Sequence, residues 1–237
     1  MQLTNVEIPT EDGLLHGVLA VPDGTGPFPA VIMVHEVFGI DESMRVQIQR
    51  MASAGYIVLM PDLFSRGGMR KCLNATFRAL MAGEGQAFDD VAAATALVTA
   101  RPDCTGKVGV VGFCMGGSFA LQLASRGYDA SAVNYGQLPK DLDEVLAGAC
   151  PIVASYGAKD VSLKGAAPKL ESALTRAGVA HDVKEYPEAS HAFMNPVQAG
   201  PKLLRPFMNK VVGFKPNPEA ALDAWARIEA FFAEHLS

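Results

Sequence analysis

The sequence predicts a single α/β domain, with a mostly parallel central sheet, helices on both of its faces and an N-terminal antiparallel hairpin. Three observations carry this. Short continuous apolar runs, of the kind buried on both faces of a sheet, recur along the chain. Helix-period stretches separate them, as crossover connections require. Two alternating runs around a turn signal open the chain. With 237 residues, 49% of them hydrophobic, one large core can be buried, and α/β domains commonly reach roughly 250 residues.

Taken in order, Val6–Pro9 and Leu14–Pro22 flank Glu11-Asp12-Gly13 and predict the hairpin at a sheet edge. Buried strands follow at Ala30–Val34, Tyr56–Met60, Val108–Val111, Ala130–Tyr135 and Ile152–Ser155, with His181–Tyr186 as the next strand. Met44, Ile48 and Met51 recur on one helical face, and Val91–Val98, Ser118–Ala124 and Lys169–Ala177 predict further helices. Asn217-Pro218 reads as a cap and first-turn proline, after which Leu222, Trp225, Ile228, Phe232 and Leu236 form the apolar stripe of a docking helix. Two segments read as loops: Ser65–Lys71, rich in Gly and Arg, and Met194–Asn217, with Pro196, Pro201, Pro206 and Pro216. The second is expected to be an insertion or lid at about 194–217 of a domain spanning 1–237.

Charge and composition exclude several classes of function. Twenty basic against 25 acidic residues give a net charge of −5, without the basic patch that nucleic-acid binding needs. The start of the chain has no positively charged, apolar leader, and no apolar run approaches the roughly 18 residues that span a bilayer. A cytoplasmic protein with no membrane or nucleic-acid partner is expected, its state as monomer or small homo-oligomer left open. The four cysteines, Cys72, Cys104, Cys114 and Cys150, show neither C-x-x-C nor zinc spacing, which predicts no disulfide framework and no structural metal.

The sharpest signal is Gly112-Phe-Cys114-Met-Gly116-Gly117, placed between a strand and a helix. This is a nucleophile elbow with cysteine at its tip. The glycines let strand and helix pack closely, and the helix N-terminus favours a thiolate at position 114. Cys72, Cys104 and Cys150 have no such context and read as small hydrophobes. A nucleophile needs a base and an orienting acid. In elbow enzymes these follow in the order acid, then histidine. Asp160 lies just beyond the strand Ile152–Ser155, in Gly157-Ala-Lys-Asp160, and His191 lies on the loop after His181–Tyr186. Imidazole would take the thiol proton, and the carboxylate would fix its tautomer. His16, His181 and His235 read as structural. His35-Glu36-Val37 follows the strand Ala30–Val34, where an oxyanion-hole amide is drawn. Glu36 there is odd, because a carboxylate repels a developing oxyanion unless it has a specific partner such as the thiol.

These pieces, together with Ala54-Gly-Tyr-Ile-Val-Leu-Met-Pro-Asp-Leu63 and His191-Ala-Phe193, resemble the dienelactone hydrolases (carboxymethylenebutenolidases) over nearly the whole chain. The resemblance implies an α/β-hydrolase fold and a cysteine-dependent hydrolase of small esters or lactones, acting through a thioester without cofactor or metal. It assigns Cys114 as nucleophile, His191 as base and Asp160 as orienting acid. It implies that Glu36 holds the resting thiol, and that the oxyanion hole is the backbone N–H groups of Val37 and Met115. Family members that take dienelactone grip its carboxylate with two arginines. Here the second position is Asn195, while Arg70 or Arg78, less readily Arg66, fits the first, and Arg205 on the insertion is a candidate replacement partner. A related ester or lactone is therefore expected in place of dienelactone itself. The alternatives are a broad carboxylesterase or thioesterase, and a non-catalytic ligand binder or thiol sensor on the same fold.

Overall fold

Eight strands form one sheet in the computed structural model, which describes residues 2–197 and 215–237. They are β1 (Leu3–Thr10), β2 (Gly13–Ala20), β3 (Phe28–Val34), β4 (Ile57–Pro61), β5 (Cys104–Phe113), β6 (Ala130–Asn134), β7 (Ile152–Gly157) and β8 (His181–Tyr186). Their order is β1-β2-β4-β3-β5-β6-β7-β8. β1 and β2 form the expected edge hairpin; β2 also runs antiparallel to β4, and the pairings from β4 through β8 are parallel.

The helices are α1 (Glu42–Ser53), α2 (Met69–Ala82), α3 (Gln86–Thr99), α4 (Met115–Leu123), α5 (Leu142–Val145), α6 (Ala166–Ala177) and α7 (Pro218–His235). Local chemistry sets several ends. The Asp41 side chain accepts from Met44 N at α1, and the Asn217 side chain accepts from Ala220 N at α7, with Pro218 in the first turn. Alternation along the strands divides the core between two faces. Ala30, Ile32 and Val34 pack with residues of α2, α3, α4 and α6, whereas Val31 and Met33 pack with α1 and α7. In α7 the stripe Trp225, Ile228, Phe232 is buried, each side chain contributing roughly 1.5–3 kcal/mol. Leu222, placed on that stripe by its spacing, is 61% exposed and lies off it.

One further expectation needs correction. The loop expected over Ser65–Lys71 ends early, because Met69 already opens α2. This helix escapes a periodicity reading because only Thr76 and Leu80 are buried along it, and Gly68 offers no side-chain cap. Of the expected lid, Met194–Val197 and Lys215–Asn217 are described, and the rest, Arg205 included, lies outside the described residues. No helix among the described residues is long and apolar enough to cross a membrane.

Candidate active site

Strand register brings distant residues to one edge of the sheet. Val34 pairs with Gly112, so His35-Glu36-Val37 emerges beside the elbow. Phe113 pairs with Asn134, which sets Tyr135 next to Cys114. Gly157 pairs with Tyr186, and the amides of Ala158 and Lys159 donate to the carbonyls of Tyr186 and Ala189, tying the Asp160 turn to the loop that carries His191. These are the carboxyl ends of the parallel strands, where open α/β sheets place their ligands.

The elbow is tight. A Cβ on Gly112 would stand 1.8 Å from the Gly116 carbonyl oxygen, and one on Gly116 would stand 2.0 Å from that of Val34. Cys114 itself has φ 55° and ψ −115° at the N-cap of α4. Among the described residues, the non-glycine positions at positive φ are Cys114, Tyr135 and Ala192, all at this edge. Backbone strain of this kind costs on the order of 1–3 kcal/mol per residue and persists where surrounding packing enforces it.

Cys114 Sγ lies 3.0 Å from His191 Nε2, and His191 Nδ1 lies 2.5 Å from Asp160 Oδ2. Asp160 is buried, and its other oxygen accepts from the Ser162 amide at 2.9 Å and the Ser162 hydroxyl at 2.5 Å. Burial alone would raise the Asp160 pKa. The His191 hydrogen bond and charge, with the two Ser162 bonds, outweigh it and hold the carboxyl below its ordinary value. Burial likewise disfavours charged His191, but the charge of Cys114 and the hydrogen bonds to Asp160 and Cys114 win, and its pKa is raised to about 10. The contacts to Asp160 and Cys114 thus favour the protonated imidazole.

Glu36 is buried, and its partners differ from the expected one. Asn195 Nδ2 donates to both carboxylate oxygens, at 3.1 and 3.0 Å, and the Tyr135 hydroxyl stands 3.4 Å from Oε1. The thiol is on His191 and the carboxylate is on Asn195, so the expected thiol-holding contact of Glu36 is absent from this arrangement. Asn195, expected at the substrate, is 2% exposed and is taken up by Glu36. Burial pushes the Glu36 pKa up to about 7, against the Asn195 bond and the His191 charge, with Asp41 adding to the rise and Tyr135 opposing it.

The rise has a consequence for folding. Between its ordinary value of 4.5 and about 7, Glu36 binds a proton more readily in the folded chain than in the unfolded one, so its contribution to stability falls as pH rises through that window. Above it the full cost is on the order of 3 kcal/mol. Glu36→Gln should therefore raise stability at pH 8 and raise it much less at pH 5, read by urea unfolding at both values. An equal change at the two would reject this origin.

A cavity of about 330 Å³ opens over Cys114 and His191, walled by Val37, Phe77, Leu80, Met115 and Leu163, with Ser118, Tyr135, Gln137 and Ser162. Val37 and Met115, the residues expected to supply the oxyanion amides, are among those that line it. Arg70 and Arg78 lie exposed on α2 and do not line it, although Phe77 and Leu80 of the same helix do. Arg66 is committed to Asp90 through two hydrogen bonds and to Thr10 through a third. Sequence reasoning missed Phe77, Leu80, Ser118, Tyr135, Gln137, Ser162 and Leu163. Only Ser162 carried a local signal, two residues after an Asp as in an Asx turn. His35 is structural: Nδ1 donates to the Glu36 carbonyl at 2.6 Å and Nε2 accepts from the Leu63 amide at 3.1 Å, which fixes the entry to Val37. Gln47 of α1 braces the far side, donating to the Met194 carbonyl while accepting from Trp225 Nε1. Among the described residues no group of three or more His, Cys, Asp or Glu is placed to hold a metal ion.

The strand order, the elbow after β5 and the residues gathered at the strand ends define an α/β-hydrolase-fold protein. The family model of the dienelactone hydrolases matches residues 15–236, and the chain belongs to that family. It is similar to the carboxymethylenebutenolidase of Pseudomonas putida, 29% identical over 211 residues that cover 84% of this chain and 89% of the relative. Two solved structures share the fold. One is described as m3DLH, with TM-score 0.83, 22% identity and coverage of 100% of this chain and 99% of the other. The other is the dienelactone hydrolase of Anabaena variabilis, with TM-score 0.75, 20% identity and the same coverage. The protein is a hydrolase acting on ester bonds, with small esters or lactones as its substrate class, which sets aside the non-catalytic binder and sensor readings.

Proposed function

We propose that the chain hydrolyses an uncharged small ester or lactone through a thioester on Cys114. The observation that carries this reading is the 3.0 Å approach of Sγ to His191 Nε2, with His191 in turn bonded to Asp160. His191 Nε2 takes the thiol proton, and the sulfur attacks the carbonyl carbon, sending the carbonyl electron pair to oxygen. The amides of Val37 and Met115 receive that oxyanion. Met115 is the first residue of α4, where N–H groups lack intrahelical acceptors. Collapse breaks the bond to the alcohol oxygen, which takes the proton from Nε2. Water then gives its proton to Nε2 and adds to the thioester; the C–S bond breaks, the acid leaves and the sulfur recovers its proton.

Asp160 holds the Nδ1 proton, and so the tautomer in which Nε2 can work. Glu36 stands behind this pair, and its negative charge favours the imidazolium. Holding the thiol instead would require its carboxylate to leave Asn195. An uncharged substrate fits the lining, because no arginine faces the cavity among the described residues. Rapid mixing with an activated phenyl ester, acid quenching and peptide mass spectrometry should find the acyl group on the peptide containing Cys114. An adduct on a serine would overturn the thioester route.

A further inference from the structure

A second cavity, of about 480 Å³, adjoins the one over Cys114, and the two share Leu80, Ser118 and Gln137 in their walls. Its floor follows α4 away from the elbow, through Ser118 and Gln122 to Ser125. One wall is the end of α2 from Leu80 to Gly83, and the other is the segment from Gln137 to Val145. From Cys114 to Gln122 the helix rises about 12 Å. The two chambers differ in chemistry. Beside the thiol the walls are largely apolar, from Val37, Phe77, Leu80, Met115 and Leu163. The second chamber offers the uncharged hydrogen-bonding side chains of Ser118, Gln122, Ser125 and Gln137. At its rim Arg126 and Lys140 are offset by Asp141 and Glu144, so neither sign of charge is selected.

We propose that the second chamber is a substrate subsite, and that the preferred ester has a compact apolar group beside Cys114 and a longer arm bearing uncharged hydrogen-bonding oxygens. The subsite rests on the hydrolase reading above and specifies its substrate class. Apolar lining accepts the compact group without a polar partner. Gln122 Nε2 already donates to the Leu80 carbonyl and Ser118 Oγ accepts from the Gln137 amide, while Ser125 and Gln137 are exposed. The donor hydrogens left over on these side chains can meet ether oxygens on an arm running along α4, which a bare alkyl arm does not offer.

The test compares three phenyl esters by kcat/KM: a short acyl ester, a long alkyl ester, and a long ester of equal length with ether oxygens in its arm. Hydrolysis of the ether-bearing ester should exceed that of the alkyl one by about fivefold, the scale of one net hydrogen bond. Ser125→Trp, at an exposed position that lines only the second chamber, should cut the ratio of ether-bearing to short ester about tenfold. An unchanged ratio overturns the subsite. Should none of the esters turn over, the thioester reading fails by itself, and the subsite is read instead by calorimetry on Cys114→Ala with a methyl ketone carrying the ether arm. Binding that is lost on adding Ser125→Trp supports the subsite; equal binding, or none, overturns it.

Discussion

Cys114→Ala should lower ester hydrolysis by roughly 10⁴-fold or more, to the residual rate that binding and the oxyanion amides sustain, while thermal melting stays close to that of the parent. Alanine keeps the Cβ, and with it the same demand on a backbone held at φ 55°, so the substitution removes the sulfur and little else. Cys114→Ser should be nearly as impaired, because a hydroxyl is far harder to ionise than a thiol. Substantial turnover in Cys114→Ala, followed by release of the phenol, would remove this residue as nucleophile.

A large effect on folding is expected at Gly116. A methyl group there would meet the Val34 carbonyl oxygen at 2.0 Å and its carbon at 2.6 Å. Both atoms belong to the central strand β3, which is paired on both sides, and neither can yield as a side chain could. Gly116→Ala should therefore cost on the order of 4 kcal/mol or more, or leave no folded protein. Gly148→Ala is the control: it has open space but φ +73°, so it should lose only the roughly 1–2 kcal/mol of a left-handed backbone. Similar losses at the two positions, measured by urea unfolding, would contradict a steric origin.

Much of the fold is legible in the apolar runs, because a strand covered on both faces has no polar side to confuse the pattern. The elbow is legible for a related reason. The packing of β5 against α4 leaves no room for a Cβ at Gly112 or Gly116, and that constraint is written locally as glycine spacing. Asp160 and His191 could be placed because each follows a strand whose neighbours in the sheet could be guessed. The cavity walls are a different matter. Phe77 and Leu80 enter from a helix that buries little, and Tyr135 and Gln137 arrive through the pairing of β5 with β6, so their convergence depends on a register that no local pattern encodes. Asn195 illustrates the limit. Its place after His191 suggested a substrate contact, yet a buried carboxylate left without a donor is costly, and Glu36 claims the amide first.

Gln47 has a practical consequence for anyone reshaping this enzyme. Its single amide joins α1, the stretch just past His191, and the last helix, on the face of the sheet that carries no wall of the cleft except through those loops. Random libraries confined to cleft positions would leave this remote joint unsampled. Selections that include it gain access to variants whose turnover shifts because the histidine is carried slightly elsewhere, with every residue that meets the substrate unchanged.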